Sequence, residues 1–307
     1  MKHKKIKILI LALCVLCLTG CTKTLKDSEN HVVTNSTGQS LTENILCKPT
    51  DEATLQLYRD NGVDVDSMVS CNEFTPMDGG YEGLWESILV KPLAFLITFT
   101  SRYVHSATLA MIIVTIAIRL ALYPLTNKTA MQSELIKNAT PELNRIEKKY
   151  ENKTDQDSLM RKSQEMTMVY KKYNINPLSG CLFSFIQIPL LFAFLESINR
   201  LPVLYEEDFL GMQMGTTPWV GLINQGNWIF LLLVIIIGLT TYFSFSLNRT
   251  AATTEGDPMA SMSKVMTGMI VVMSFMMPAA LGIYWAISNL FTIVQNLIVK
   301  RSKKIYE

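Results

Sequence analysis

The 307-residue sequence predicts an all-α integral membrane protein of five transmembrane helices, with a charged helical hairpin on one side and an amphipathic interfacial helix on the other. Three observations carry this expectation. Apolar runs of about 20 residues, the length that crosses roughly 30 Å of hydrocarbon, recur between polar segments. Lysine and arginine gather at 127–176 and in the C-terminal tail. Arg119 lies inside an otherwise apolar run, 112–125. Whole-chain averages, 49% hydrophobic and 18% charged with a formal net charge of +2, blend these populations and decide little.

Residues 1–20 read as a lipoprotein signal peptide. Lys2, Lys4, Lys5 and Lys7 form a basic n-region, and Ile8 to Leu18 an apolar core too short to span comfortably. Leu18-Thr19-Gly20-Cys21 then resembles a bacterial lipobox, in which Cys21 is lipidated and becomes the first mature residue. The alternative is an ordinary signal or an uncleaved anchor with an incidental cysteine.

Residues 21–82 would be an extracytoplasmic, lipid-anchored region. The polar stretch 22–41 is expected to be a tether in which no core forms. The loop region after it carries a short helix around Leu55 and a turn at Asn61-Gly62. Cys47 and Cys71 flank that region, and on an oxidising side a disulfide between them is expected, two unpaired thiols being the alternative. Cys181 begins a membrane helix, where a small buried thiol needs no role.

From 83 to 103, Leu84, Trp85, Ile88, Leu89, Phe95, Leu96 and Phe99 recur at helical spacing, with Glu86, Lys91 and Arg102 between them. Pro92 is expected to break this stretch into halves too short to span. It is therefore read as an interfacial helix anchored by Trp85. Spans follow at 106–125, 178–198, 228–247, 264–277 and 279–299. The last two form a hairpin turning at Met277-Pro278-Ala279, because one helix over 264–299 would far exceed the bilayer.

Charge sets the orientation. The 127–176 segment carries ten Lys or Arg, whereas 201–227 carries none but has Glu206, Glu207 and Asp208. The positive-inside rule then places 127–176 and the C-terminus in the cytoplasm, and the N-terminus and acidic loop outside. Five spans satisfy this, and so does the lipobox. Within 127–176, Thr140-Pro141-Glu142 is expected to start or restart a helix, Asn152-Lys153-Thr154-Asp155 to turn, and 156–173 to return. Such a hairpin is either a solvated coiled coil or a methionine- and lysine-rich docking surface.

Arg119 is the residue most in need of explanation. A guanidinium at the centre of a span costs about 2.5–3.5 kcal/mol even on lenient insertion scales. At 1.5 Å per residue it lies about 9 Å from the end of the apolar run, so snorkelling reaches only partway. A functional polar cavity is the preferred reading, and snorkelling the alternative. No phosphate loop, metal cluster or nucleophile–base constellation accompanies it, so no enzyme activity, cofactor or DNA partner is expected.

Taken together, several motifs resemble the YidC/Oxa/Alb membrane-protein insertases, specifically the short lipoprotein-type form of Gram-positive bacteria. They are Thr115-Ile116-Ala117-Ile118-Arg119-Leu120 with Tyr123-Pro124-Leu125, Pro141-Glu142-Leu143 with Lys148-Lys149-Tyr150, and Tyr170-Lys171-Lys172-Tyr173-Asn174-Ile175-Asn176-Pro177-Leu178 with Gly180-Cys181. Gln187-Ile188-Pro189-Leu190 follows, and Pro278-Ala279-Ala280-Leu281-Gly282-Ile283-Tyr284-Trp285 with Ser288-Asn289-Leu290-Phe291 and Gln295 completes the order.

The resemblance covers about Gly83 to the C-terminus and implies five helices around a hydrophilic groove that holds Arg119. Gln187, Thr241, Ser244, Trp285, Ser288, Asn289 and Gln295 are the further groove candidates. Where relatives often carry glutamine after a Thr-Thr pair, this chain has Thr240-Thr241-Tyr242-Phe243-Ser244, so that wall would be less polar. The implied partners are nascent membrane proteins, ribosome and signal-recognition components at the hairpin and basic C-terminus, membrane lipids and a Sec translocon. A small solute transporter or channel is the rival reading, but it would more often show paired half-helices or an internal repeat.

Overall fold

The computed structural model describes residues 22–176, 179–247 and 258–306, with side chains described except at 179–186, 258–263 and 302–306. The signal segment 1–20, Cys21 and the Cys181 side chain lie outside the described residues. In chain order the helices are α1 (Glu52–Asp60), α2 (Glu86–Val104), α3 (Ala107–Ala121), α4 (Tyr123–Lys149), α5 (Gln156–Lys172) and α6 (Ser179–Arg200). Then come α7 (Pro202–Tyr205), α8 (Pro218–Ile223), α9 (Ile229–Leu247), α10 (Pro258–Ser274) and α11 (Ala279–Tyr306). Between α7 and α8, β1 (Asp208–Phe209) pairs antiparallel with β2 (Met212–Gln213). Two compact units emerge: Met1–Thr115 with Gln187–Ile235 and Met273–Trp285, and Ile116–Ile186 with Ile236–Val272 and Ala286–Glu307.

In the first unit, 22–82 is a folded module, which corrects the expectation of a tether without a core. Antiparallel bridges Thr24–Thr42, Lys26–Val32 and Thr34–Ser40 fold the chain back on itself. The reversals are made by side chains that mimic backbone. Asp27 Oδ1 accepts from the amides of Glu29 and His31, and Asn35 Oδ1 accepts from those of Thr37 and Gln39. Leu25, Val33 and Leu41 are thereby delivered to a core with Ile45, Leu55, Tyr58 and Val65.

Asp51 caps α1 by accepting from the Thr54 amide. Cys47 and Cys71 are joined by a disulfide, their Cα atoms 4.9 Å apart. The module is bonded to 200–216: the Leu46 amide donates to Arg200 O, and Thr50 donates through N–H and hydroxyl to Glu206. The Tyr58 and Tyr205 hydroxyls meet at 3.2 Å. Burial pushes the Tyr58 phenol up to about 12 and raises that of Tyr205 as well, so both stay protonated and keep this bond.

The stretch 83–104 also departs from expectation. Pro92 does not break it, since Glu86–Val90 is a π-turn running directly into the α-helical Lys91–Val104. The wider turn lets the Lys91 amide reach Glu86 O, and Pro92 falls in the first α-turn, where a missing N–H costs little. The result, Glu86–Val104, is 19 residues long and apolar enough to cross a membrane.

In the second unit, the predicted 106–125 span ends at Ala121. The axis bends by 69° into α4, which already contains Tyr123-Pro124-Leu125. Helix α4 then runs unbroken through Pro141, so Thr140-Pro141-Glu142 is not a restart. The proline forfeits the backbone bond to Lys137 O, and beside it Thr140 Oγ1 donates to Ile136 O at 2.9 Å. Tertiary packing holds the helix straight enough to continue. Ile136, Ala139, Leu143, Ile146 and Tyr150 share a core with Val169 and Ile175.

Asn152, at φ 65°, makes the reversal, and Asp155 caps α5. The ion pairs Lys149–Glu165 (2.6 Å) and Lys172–Glu142 (2.7 Å) fix the two helices antiparallel.

Three described helices have the length and apolarity to cross a membrane, Glu86–Val104, Ile229–Leu247 and Ala279–Arg301, and a fourth if the bent α3–α4 pair is one span. Helix α10 contributes a shorter apolar stretch, Lys264–Ser274. Between α10 and α11 the chain turns at 275–278, beside Pro278.

Candidate functional site

Helix α3 presents the first half of the site. Arg119 is its only charged residue and is 5% exposed. Thr108 and Thr115, both buried, precede it on the same face with buried Met111 between them, so this face of an otherwise apolar helix carries two hydroxyls and ends in a guanidinium. Thr115 Oγ1 donates to Met111 O at 2.7 Å, which satisfies the hydroxyl within the helix. Ile113, Ile116 and Leu120 are exposed, on a face suited to lipid.

In the second unit, three more helices carry buried polar stripes. Thr126, Thr129 and Ser133 form one on α4, Thr241 and Ser244 one on α9, and Ser288, Thr292, Gln295 and Asn296 one on α11. They meet in pairs. The Gln295 amide donates to Thr126 Oγ1 at 2.9 Å, and the Asn289 amide to Thr241 Oγ1 at 2.9 Å. Ser288 Oγ is buried with no hydrogen-bond partner among the described residues.

Of the candidates read from sequence, Arg119, Thr241, Ser244, Ser288, Asn289 and Gln295 thus fall in one unit. Gln187 and Trp285 fall in the other, both half-buried. Thr292, Asn296, Thr126 and Thr129 were missed. Their signal was the recurrence of small polar residues at i, i+3 and i+4 through apolar helices, which single-residue inspection passes over.

A second polar constellation, in the first unit, was missed as a whole. Arg200, 1% exposed, donates to Glu82 at 3.0 Å, to Glu196 at 3.3 Å and to Glu86, while its Nε donates to Asn44 O. Lys91, equally buried, pairs with Glu82 at 3.1 Å and donates to the carbonyls of Asp78 and Gly80. Trp85 is not an interfacial anchor. It is 2% exposed and donates its indole N–H to Glu196 at 2.8 Å. Glu86 and Lys91, read as charged residues of an interfacial helix, are buried too, and so is Arg200. Arg119 is therefore not the one deeply buried cation of the chain.

Apolar helices with buried polar stripes, one of them carrying an arginine, define an integral membrane protein. Comparison with known proteins gives the class its family. The family described as 60Kd inner membrane protein matches residues 99–306. Among the relatives is a Membrane protein insertase YidC 1 of Halalkalibacterium halodurans, 34% identical over 234 residues, 76% of this chain and 85% of that protein. Membrane protein insertase YidC of Oceanobacillus iheyensis is 33% identical over 239 residues, 75% of this chain and 90% of that protein. Membrane protein insertase MisCA of Bacillus subtilis is 31% identical over 226 residues.

The chain belongs to this family, that of the YidC insertases, and is a protein of the cytoplasmic membrane. The module at 22–82 lies outside the matched segment.

Proposed function

We propose that this protein inserts newly made membrane proteins into the bacterial cytoplasmic membrane and assists their folding, using a hydrophilic groove that contains Arg119. The observation that carries the reading is the burial of Arg119 on the polar face of an apolar helix in a chain of the insertase family. The polar pairs Gln295–Thr126 and Asn289–Thr241 are of the kind a groove wall needs, with Ser244 and Ser288 assigned to the same wall; Gln187 and Trp285 are the remaining candidates of the family resemblance.

The mechanism is energetic rather than chemical. A client segment of about twenty apolar residues gains roughly 0.3–0.6 kcal/mol for each Leu, Ile, Phe or Val it places at the bilayer centre, so insertion is downhill and its barrier is kinetic. A wet groove shortens the hydrocarbon path of the hydrated tail, and the guanidinium offers an acidic residue a transient partner. A membrane potential positive outside adds about 2.3 kcal/mol per negative charge per 100 mV. No nucleotide is required.

The proposed topology has five spans, the α4–α5 hairpin and the C-terminus in the cytoplasm, and the 22–82 module outside, tethered by diacylglycerol on Cys21. Ribosome and signal-recognition components would dock on the hairpin, with Sec cooperation for some clients. Depletion tests the function. Small one- and two-span proteins should accumulate uninserted, whereas a lost solute flux with normal insertion would favour a transporter.

A further inference from the structure

Residues 209–229 contain no Asp, Glu, Lys or Arg. Of the three carboxylates just before them, Glu206 accepts from Thr50 and Glu207 from the amide and hydroxyl of Thr108 at 2.6 Å, while Asp208 alone is exposed. The loop read from sequence as acidic is therefore a folded element whose 209–229 portion is uncharged. In that portion Leu210, Trp219, Ile223 and Trp228 are 59–73% exposed.

The backbone gathers and holds these four side chains. Trp219 and Ile223 are one turn apart on α8, whose opposite side is packed. Gly221 leaves room for the Phe230 ring, and Val220 closes on Gly38 of the module. The Trp219 amide donates to Phe275 O at 3.0 Å, and the Asn227 amide to Gly221 O at 2.9 Å. Asn227 also donates its side-chain amide to Gly211 O at 2.6 Å, which brings the Leu210-Gly211 turn beside Trp228. Leu210 holds φ 54°, a conformation unfavourable for a leucine, at the exposed tip of that turn.

We propose that 209–229 is seated in the lipid boundary of the bilayer, with Leu210, Trp219, Ile223 and Trp228 in contact with lipid rather than water. Three features select lipid as the occupant. The patch is continuous with a spanning helix, since Trp228 leads directly into α9, whose Leu231, Leu232 and Ile235 are 44–49% exposed. Two of its four members are tryptophan, whose apolar body and N–H suit the headgroup boundary. Its rim is uncharged but polar, with Asn224 and Gln225 exposed beside it. Such a patch exceeds what scattered surface hydrophobics explain. The inference concerns how the protein is seated and does not depend on the insertion activity.

Intrinsic fluorescence of the full chain in phosphatidylglycerol–phosphatidylcholine vesicles tests it, because only Trp85 and Trp285 accompany Trp219 and Trp228, and Trp85 is buried. Phosphatidylcholine brominated near the headgroup end of its acyl chains should quench a large part of the emission. Trp219→Phe with Trp228→Phe, substitutions at exposed positions that leave the fold intact, should remove most of that quenchable component, while aqueous iodide has little effect on it. Quenching of the same component by iodide and not by brominated lipid would overturn the proposal. So would insensitivity to both quenchers combined with capture of a client polypeptide by a photo-crosslinking residue placed at 219.

Discussion

Arg200 and Arg119 are both buried arginines at the ends of largely apolar helices, and the two helices differ in the charge they supply. Arg200 has Glu196 one turn back on its own helix, with Glu86 and Glu82 brought to it from the approach to α2. Helix α3 brings Arg119 no charge of its own. A guanidinium clasped by three carboxylates is a fastener whose charge is spent inside the fold. One carried by an uncharged helix, at the end of a polar stripe, is the one for which a role toward clients is proposed. The difference teaches that burial of a cation is not in itself a functional mark; what shares its environment decides.

The largest effect should follow from breaking the fastener. Arg200→Ala leaves three carboxylates crowded and Asn44 O without its donor, which should destabilise the protein by about 3–5 kcal/mol. Thermal unfolding in detergent measures it. Arg119→Ala, by contrast, should leave the unfolding temperature nearly unchanged, and equal losses in the two variants would erase the distinction drawn here.

Next in size is the module that Arg200 helps to hold. Cys47→Ser opens a loop with a sequence separation of 24, and should cost roughly 3 kcal/mol of local stability. Protease added outside intact cells should then cut within 22–82 while the membrane core survives. Resistance equal to that of the parent would show that the hydrogen bonds to 200–216 suffice without the disulfide. Mass spectrometry of the purified chain, alkylated with and without reductant, would report the bridge and test the proposed lipid on Cys21 together.

Smaller still is Trp85→Phe, which keeps an aromatic ring but deletes the donor to Glu196 and leaves part of the indole volume unfilled, at a cost of about 1–3 kcal/mol.

The least effect belongs to the hairpin, whose ion pairs are exposed. Lys172 holds the Glu142 carboxyl below its ordinary 4.5, and Lys149 does the same to Glu165, with Tyr150 assisting. Folded-state values below the unfolded ones mean that the pairs' contribution is complete above about pH 4.5 and is lost as the pH falls through the depressed values. Amide hydrogen exchange across α4–α5 should therefore be flat from pH 7 to about 5, after correction for intrinsic rates, and should gain only a small local opening below that. A large opening near neutral pH would point to a different stabilising group.

How much of this was legible depended on whether the deciding partner was near in sequence. Helix α9 falls at Ile229–Leu247, where apolarity alone placed 228–247, and α5 begins at the Asp155 cap that the turn residues announce. The fastener was illegible because Trp85 and Glu86 find Glu196 and Arg200 across more than a hundred residues, while Lys91 turns back to Glu82 and the carbonyls of Asp78 and Gly80, so each read only as part of an amphipathic interfacial helix. Prolines misled for a related reason. Pro92 is absorbed by a π-turn and Pro141 by a packed helix pair, and neither remedy shows in the local string.

In 22–41 the evidence was present but diluted. Leu25, Val33 and Leu41 recur every eight residues around two Asx turns, a pattern that average polarity conceals. Among the buried polar residues, Arg119 was conspicuous by its charge, whereas Thr126, Thr292 and Asn296 declare themselves only as stripes along their helices.

The central claim is that the charge at Arg119 acts on clients rather than on the fold. Insertion of a one-span client with an acidic outer tail, followed by protease protection in cells depleted of other insertases, tests it most directly. Arg119→Ala should sharply reduce the protected fraction, Arg119→Lys should retain a good part of it, and a client with a neutral tail should be much less affected. Full insertion of the acidic-tailed client by the alanine variant would contradict the account.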